Sequence, residues 1–380
     1  MRIMLQINII LFFILFSVPS IGQDTEEIDK EMKQALEKLV DSPLPGISVA
    51  IANNNGLVWS GTAGVSNIEE NKNVSQTHLF GIGRISNQFV GVVILQMAEE
   101  NLVDLDATPK SILGNMVSDI DNADTATLYQ LLNHTSGIYS WADDIDWARR
   151  GRGVQMNPRY RSTKEEPLKY ITRQRHSAIH SPGQAYAYSS SNYTILGLIV
   201  EKISGGLIED QVRTRILEPL KLGDTYYDTY EVTPYGQLIG SYHLATDHFI
   251  SEIGINAKFD FGIDRLIDTS GASLSAEGIA NGIVTTPRDL ALFAIALRNG
   301  QLVKKSDLAH LSIPDQNSAL NVHSEILGYT ADIQWLENDE LVITSFVNMG
   351  AVSTGPSETA DHLNSYLEKI LIPIAKKYAK

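Results

Sequence analysis

Residues 80–89 of this 380-residue chain read Phe-Gly-Ile-Gly-Arg-Ile-Ser-Asn-Gln-Phe, and they hold its most suggestive chemistry. Arg84 and Asn87 lie three residues apart, so on a helix they share nearly one face, one turn apart. A guanidinium stays protonated at any accessible pH and is no nucleophile, and a carboxamide does not titrate as a base. The pair therefore suits holding a ligand better than cleaving one. Arg84 at a helix start can grip a carboxylate with help from the local N–H groups. Ser86 is the nearby hydroxyl, but at about 100° per residue it lies about 200° around from position 84 and is expected to face away from any cleft.

A second concentration of charge lies between Arg149 and Arg175. Nine basic side chains stand there against Glu165 and Glu166 alone, a net +7 in a chain whose overall charge is −15. Guanidinium forks match carboxylate, sulfate or phosphate oxygens, so the segment reads either as an anion-binding insertion or as a surface that pairs with acidic neighbours. The acidic balance of the whole chain disfavours general nucleic-acid binding. Metal chemistry has little support. The nine His are scattered, and His176 and His180 are the only pair at helical ligand spacing, without an adjacent Glu motif. Gly81-x-Gly83 lacks the rest of a phosphate-binding fingerprint, so no cofactor is expected. The absence of Cys excludes disulfides and a thiolate nucleophile.

The elements that must position these residues follow from periodicity and turn signals. Ile28, Met32, Ala35, Leu36, Leu39 and Val40 recur at helical spacing, which predicts an amphipathic helix over 27–40. Residues 47–52 and 57–64 read as a β-hairpin around the 53–56 turn. Helices are predicted over 85–100, apolar on one side, over 127–133, over 193–203 before Gly205-Gly206, and from Thr286-Pro287 to Arg298. Residues 139–180 are polar and irregular, a lid or insertion, and 226–270 show no clear periodicity. Residues 329–347 read as paired strands around Asn338-Asp339, and 357–374 as a closing helix. Ahead of all this, Arg2, the apolar run Ile9 to Phe16 and the small residues Ser20-Ile21-Gly22 predict a signal segment over 1–22 and an exported, periplasmic or secreted protein. No later stretch is long and apolar enough to span a membrane.

Several phrases, in order, carry a family resemblance. Pro45-Gly46-Ile47-Ser48-Val49-Ala50 resembles a first strand, and Leu131-Leu132-Asn133-His134-Thr135-Ser136-Gly137 a Leu-Leu-x-His-Thr-Ser-Gly signature. Pro182-Gly183 with Tyr188-Ser189-Ser190-Ser191-Asn192-Tyr193 is similar to a second active-site region. Glu218 to Thr225, and Thr285-Thr286-Pro287-Arg288-Asp289-Leu290, match two further phrases. Together with the turn at 80–89 they resemble the class C β-lactamase and D-alanyl-D-alanine carboxypeptidase family of penicillin-binding-protein-like serine hydrolases, over roughly residues 30–372. The resemblance implies an α+β fold of the β-lactamase/transpeptidase type. An antiparallel sheet with terminal helices would form one lobe (about 23–80 and 272–380). A mainly helical lobe (about 81–271) would carry the basic insertion 139–180. Residues 23–380 would form this single domain, with a ligand cleft between the lobes.

That resemblance also implies what is missing. The family's reaction uses a Ser nucleophile, a Lys one turn on and a Tyr, with an oxyanion held by the nucleophile's own N–H and one from a late strand. Arg84 stands at the Ser position and Asn87 at the Lys position. Loss of the nucleophile alone costs about a millionfold in turnover. Tyr188 is retained, its usual Asn neighbour is Ser190, and the late-strand motif His323-Ser324-Glu325-Ile326-Leu327-Gly328-Tyr329 lacks a Gly after Ser324, which is expected to disturb the strand. The expected function is a non-catalytic binder of a small anionic or peptidoglycan-like ligand, held by Arg84, Asn87, Tyr188, Ser190, His323 and Ser324. The alternative is a hydrolase, transferase or lyase with rewired chemistry, in which Tyr188 and His323 move protons without a covalent step.

Overall fold

A computed structural model describes residues 21–40, 44–228, 230–259, 265–311, 321–336, 340–351 and 365–379. Residues 1–20 of the expected signal segment, the expected turn at Asn338-Asp339 and residues 357–364 of the expected closing helix lie outside the described residues.

Six antiparallel strands form the main sheet, in the order β3-β2-β1-β11-β10-β9. They are β1 (Gly46–Asn53), β2 (Gly56–Asn67), β3 (Lys72–Asn73), β9 (Val322–Ile326), β10 (Tyr329–Leu336) and β11 (Leu341–Val347). Strand alternation sorts β1 by size. Ile47, Val49 and Ile51 point to one face, where they meet Met32 and Leu36 of helix α1 (Ile21–Val40) and Leu367 and Leu371 near the carboxyl end. Ala50 and Ala52 point to the other face, into the larger core. Small side chains there let helix Pro287–Arg298 approach, and Thr344 Oγ1 on β11 donates to the Pro287 carbonyl at 2.7 Å. That helix starts as its sequence demands, with Pro287 in the first turn and Thr286 Oγ1 accepting from Asp289 N.

The helix α2 (Ser86–Glu99) differs from its one-sided expectation. All its residues from Ser86 to Leu95 are buried, and so is Met97. Wrapped on every side, it needs no polar stripe. Helix Ser190–Ser204 lies against it, and the stack of Phe89 on Phe293, with centroids 4.0 Å apart, joins it to helix Pro287–Arg298. Ser190–Ser204 ends at Gly205, whose φ of 70° supplies the left-handed turn that a helix C-terminus favours.

Two small sheets complete the frame. One runs β4-β8-β5 (Phe80–Gly81, Ile283–Thr285, Thr225–Tyr227), the other β12-β6-β7 (Met349–Gly350, Tyr242–Leu244, Leu266–Asp268). The middle of the chain, without clear periodicity in sequence, therefore contributes short strands, of which β5 pairs with β8 and β6 pairs with β7 and with β12 near the carboxyl end. Within residues 139–180 the order is short and local, with a helix over Ile145–Gly151 and 3₁₀ turns at Trp141–Asp143 and Glu166–Tyr170. Among the described residues no helix is long and apolar enough to cross a membrane.

Two outcomes test this packing. Phe89→Ala removes one partner of a fully buried stack and should lower unfolding free energy by about 3–5 kcal/mol in chemical denaturation. His243 on β6 is fully buried, and neither ring nitrogen has a hydrogen-bond partner. Burial, with a smaller contribution from the Arg152 charge, pushes its pKa down to about 3. The unfolded chain binds this proton at its ordinary value of 6.5 and the folded chain does not, so stability is lost as pH falls below that value. Between pH 7 and 5 the loss due to this one residue should be about 1–2 kcal/mol. His243→Leu should show a shallower acid limb than the parent in denaturant melts.

Candidate functional site

Three elements meet where the sequence concentrates its chemistry: the turn Gly83–Ile85 with the head of α2, the segment Tyr188-Ser189 before helix Ser190–Ser204, and strand β9. Gly83 has φ +50°, and a Cβ there would come within 2.4 Å of Ser324 Oγ. Only glycine lets the turn approach β9 this closely.

The six candidate residues form one cluster. The Arg84 backbone N–H donates to Ser324 Oγ at 2.9 Å, and Arg84 Nε donates to the His323 carbonyl oxygen. The guanidinium carbon stands 5.7 Å from the Tyr188 ring centroid. Asn87 Nδ2 donates to the Tyr188 phenol oxygen at 3.0 Å, and Ser190 Oγ donates to it at 3.5 Å. A phenol oxygen that accepts from both sides keeps its own O–H for a ligand. Burial pushes the Tyr188 pKa up despite the opposing charge of Arg84, so this O–H acts as a donor. No carboxylate among the described residues pairs with Arg84. Ser86 is turned away as expected: it is fully buried, and its Oγ accepts from Ile283 N at 3.1 Å.

Two residues that sequence reasoning left out of the site support it. Asp332 Oδ1 lies 2.7 Å from His323 Nδ1. Burial lowers the His323 pKa, but the Asp332 hydrogen bond and the charges of Asp332 and Glu325 outweigh it, and the net shift is upward. The two-residue turn Leu327-Gly328 sets the register that pairs His323 with Asp332, so this contact could have been read from the hairpin. His134 lies under Tyr188, with ring centroids 4.6 Å apart, and its Nδ1 accepts from Ser189 N at 3.2 Å. Burial first, and the Arg84 charge second, push its pKa down to about 3, so it stays neutral. Ser136 Oγ donates to Asn192 Oδ1 at 2.7 Å and ties the same two segments together.

One expectation needs correction, and the two readings of the basic segment divide. Loss of the Gly after Ser324 leaves β9 undisturbed, since its register with β10 is regular from Ile326↔Tyr329 to Val322↔Ile333. The consequence falls on the cleft instead, where the Ser324 hydroxyl occupies the backbone donor of residue 84. The basic segment is also less cationic than its composition. Arg152 forms a buried bidentate pair with Glu277, Lys164 lies between Glu201 and Glu209, Arg173 meets Asp121, and Arg175 meets Asp144 and Asp146. Four of its nine charges are thus matched by carboxylates from outside the segment. His176 and His180 do not share a helix. The first contacts Asp144 and the second the Ser181 carbonyl, and no metal-binding cluster occurs among the described residues.

Comparison with known proteins places this geometry. D-amino acid amidase from Ochrobactrum anthropi SV3 superposes with a TM-score of 0.76 at 20% identity, over 91% of this chain and 98% of that one. A D-stereospecific amidohydrolase from Streptomyces gives 0.69 at 23% identity, over 85% and 94%. At such identities the likeness concerns the fold alone. Protein flp of Staphylococcus aureus (strain MW2) is 26% identical over 211 residues, which are 55% of this chain and 39% of that protein. Penicillin-binding protein 4 of Amycolatopsis lactamdurans is 29% identical over 150 residues, 39% of this chain and 36% of that one. The chain thus spans under two fifths of the length of these two relatives. The family described as Beta-lactamase matches residues 29–341, more than half of the sequence and all three elements of the cluster, and the chain belongs to that family.

Proposed function

We propose that this protein is a non-catalytic member of the β-lactamase family that binds a small anionic or peptidoglycan-like ligand in the cleft at Arg84. One observation supports this most directly. The amide that the family resemblance assigns to oxyanion stabilisation is the Arg84 N–H, and here it donates to Ser324 Oγ. A donor already satisfied inside the protein cannot hold a developing charge without first breaking that bond. The nucleophile and the base are absent at the same time, so three separate parts of the acyl-transfer machinery are closed. What stays open is a cation with no carboxylate partner among the described residues, flanked by the Tyr188 O–H. That pairing suits a carboxylate or phosphate oxygen, which takes charge-assisted hydrogen bonds from guanidinium and a neutral one from phenol. The same proposal takes the signal-like sequence of residues 1–22 to direct export, so that binding would occur outside the cytoplasm.

The pairing of His323 with Asp332 favours a second reading, in which a histidine oriented by a carboxylate moves protons without a covalent intermediate. The two readings differ in what a substitution removes. Arg84→Ala should abolish binding of an anionic cell-wall fragment measured by calorimetry, with no turnover in the parent. Turnover in the parent that disappears in Tyr188→Phe would establish the second reading instead.

Restoring the side chains should not restore the reaction. The double variant Arg84→Ser with Asn87→Lys is expected to remain unmodified by β-lactams and activated esters in intact-mass spectrometry, because the residue 84 amide stays capped. Adding Ser324→Gly frees that donor and should raise the acylation rate by about 10²–10³. Efficient acylation of the double variant alone would show that Ser324 is no obstacle.

A further inference from the structure

We propose that a cavity outside the Arg84 cluster is a second ligand site, for a small molecule that joins a ring to a carboxylate. The cavity has a volume of about 400 Å³, in the range that holds small organic ligands. None of Arg84, Asn87, Tyr188, Ser190, His323 or Ser324 lines it. Its wall comes from helix Ile145–Gly151, the 155–170 segment and the turn at 273–276, so most of the basic insertion serves as its frame.

The lining divides into an apolar part and a charged part. Trp147, Met156, Pro167 and the Tyr170 ring offer flat or compliant apolar surface, which suits a ring. Trp147 is fixed in place by its Nε1–H, which donates to the Ala276 carbonyl at 3.3 Å, and by the Arg152 guanidinium 4.7 Å from its ring centroid. The charged part is Arg150 and Glu166. Glu166 is engaged, since its Oε2 accepts from Tyr160 OH at 2.6 Å and from Ser162 Oγ at 3.0 Å. Arg150 is not matched in this way. Its side chain hydrogen-bonds the Tyr170 phenol and its charge is felt by Tyr160, but it pairs with no carboxylate among the described residues. Arg152, Lys164, Arg173 and Arg175 of the same segment all do. A guanidinium that touches a phenol but no described carboxylate, on the wall of a partly apolar cavity, keeps donors for an anion attached to an apolar ring, and its planar fork favours carboxylate.

Three probes of equal ring size test this on the full chain: phenylacetate, phenylacetamide and phenethylamine, titrated by ligand-observed NMR. Phenylacetate should bind about tenfold more tightly than the neutral amide, the difference that one charge-assisted hydrogen bond supplies. Arg150→Gln should remove that preference while leaving amide binding in place. Ala276→Leu, which fills the cavity, should weaken both. Arg84→Ala should change neither, which separates this site from the cleft. Absence of saturable phenylacetate binding, preference for the amine, or phenylacetate binding that survives Arg150→Gln and is lost in Arg84→Ala would each overturn the assignment.

Discussion

The contact between the turn at 83–85 and the edge strand β9 governs the rest of the site. Arg84 uses both its backbone and its side chain on that strand, the N–H on Ser324 and Nε on the His323 carbonyl. The first bond closes a donor and the second fixes the guanidinium beside Tyr188. Gly83 makes the approach possible, because any Cβ would collide with Ser324. Asn87 then supports Tyr188 from the next turn of α2. A substitution at one position of this cluster therefore alters what its neighbours can do, which is the condition under which single-residue effects cease to add.

The fold was legible because its sequence phrases bond to one another. Ser136 and His134 of one phrase hold Asn192 and Ser189 of another. Asp289, from the Thr286-Pro287 helix start, accepts from Asp224 N of the Glu218–Thr225 phrase at 2.8 Å. Such buried polar ties restrict both residue type and spacing, so they leave a recognisable pattern. The central helix was read as one-sided because periodicity reports only the apolar stripe, whereas burial on every side depends on neighbours distant in sequence.

Parts of the site were less legible for definable reasons. A missing Gly in the late-strand motif suggested a damaged strand, but backbone pairing absorbs the change and the side chain of Ser324 carries the effect. Composition left the basic segment open between anion binding and pairing with acidic neighbours, since its partners Glu277, Glu201 and Asp121 lie far along the chain and only the tertiary fold delivers them. Asp332 is the opposite case. A two-residue hairpin loop determines which residues face each other, so His323 and Asp332 could have been paired from the sequence.

The edge position of β9 has one more consequence. Among the described residues it pairs with β10 on one side only, and the hairpin register directs the His323 peptide to its other side. An open edge is a template on which an extended peptide can add as a further strand. Here the carbonyl that such a peptide would need is already taken by Arg84. The guanidinium thus acts as a cap on the sheet, and a strand added at this point would have to displace it from the His323 carbonyl.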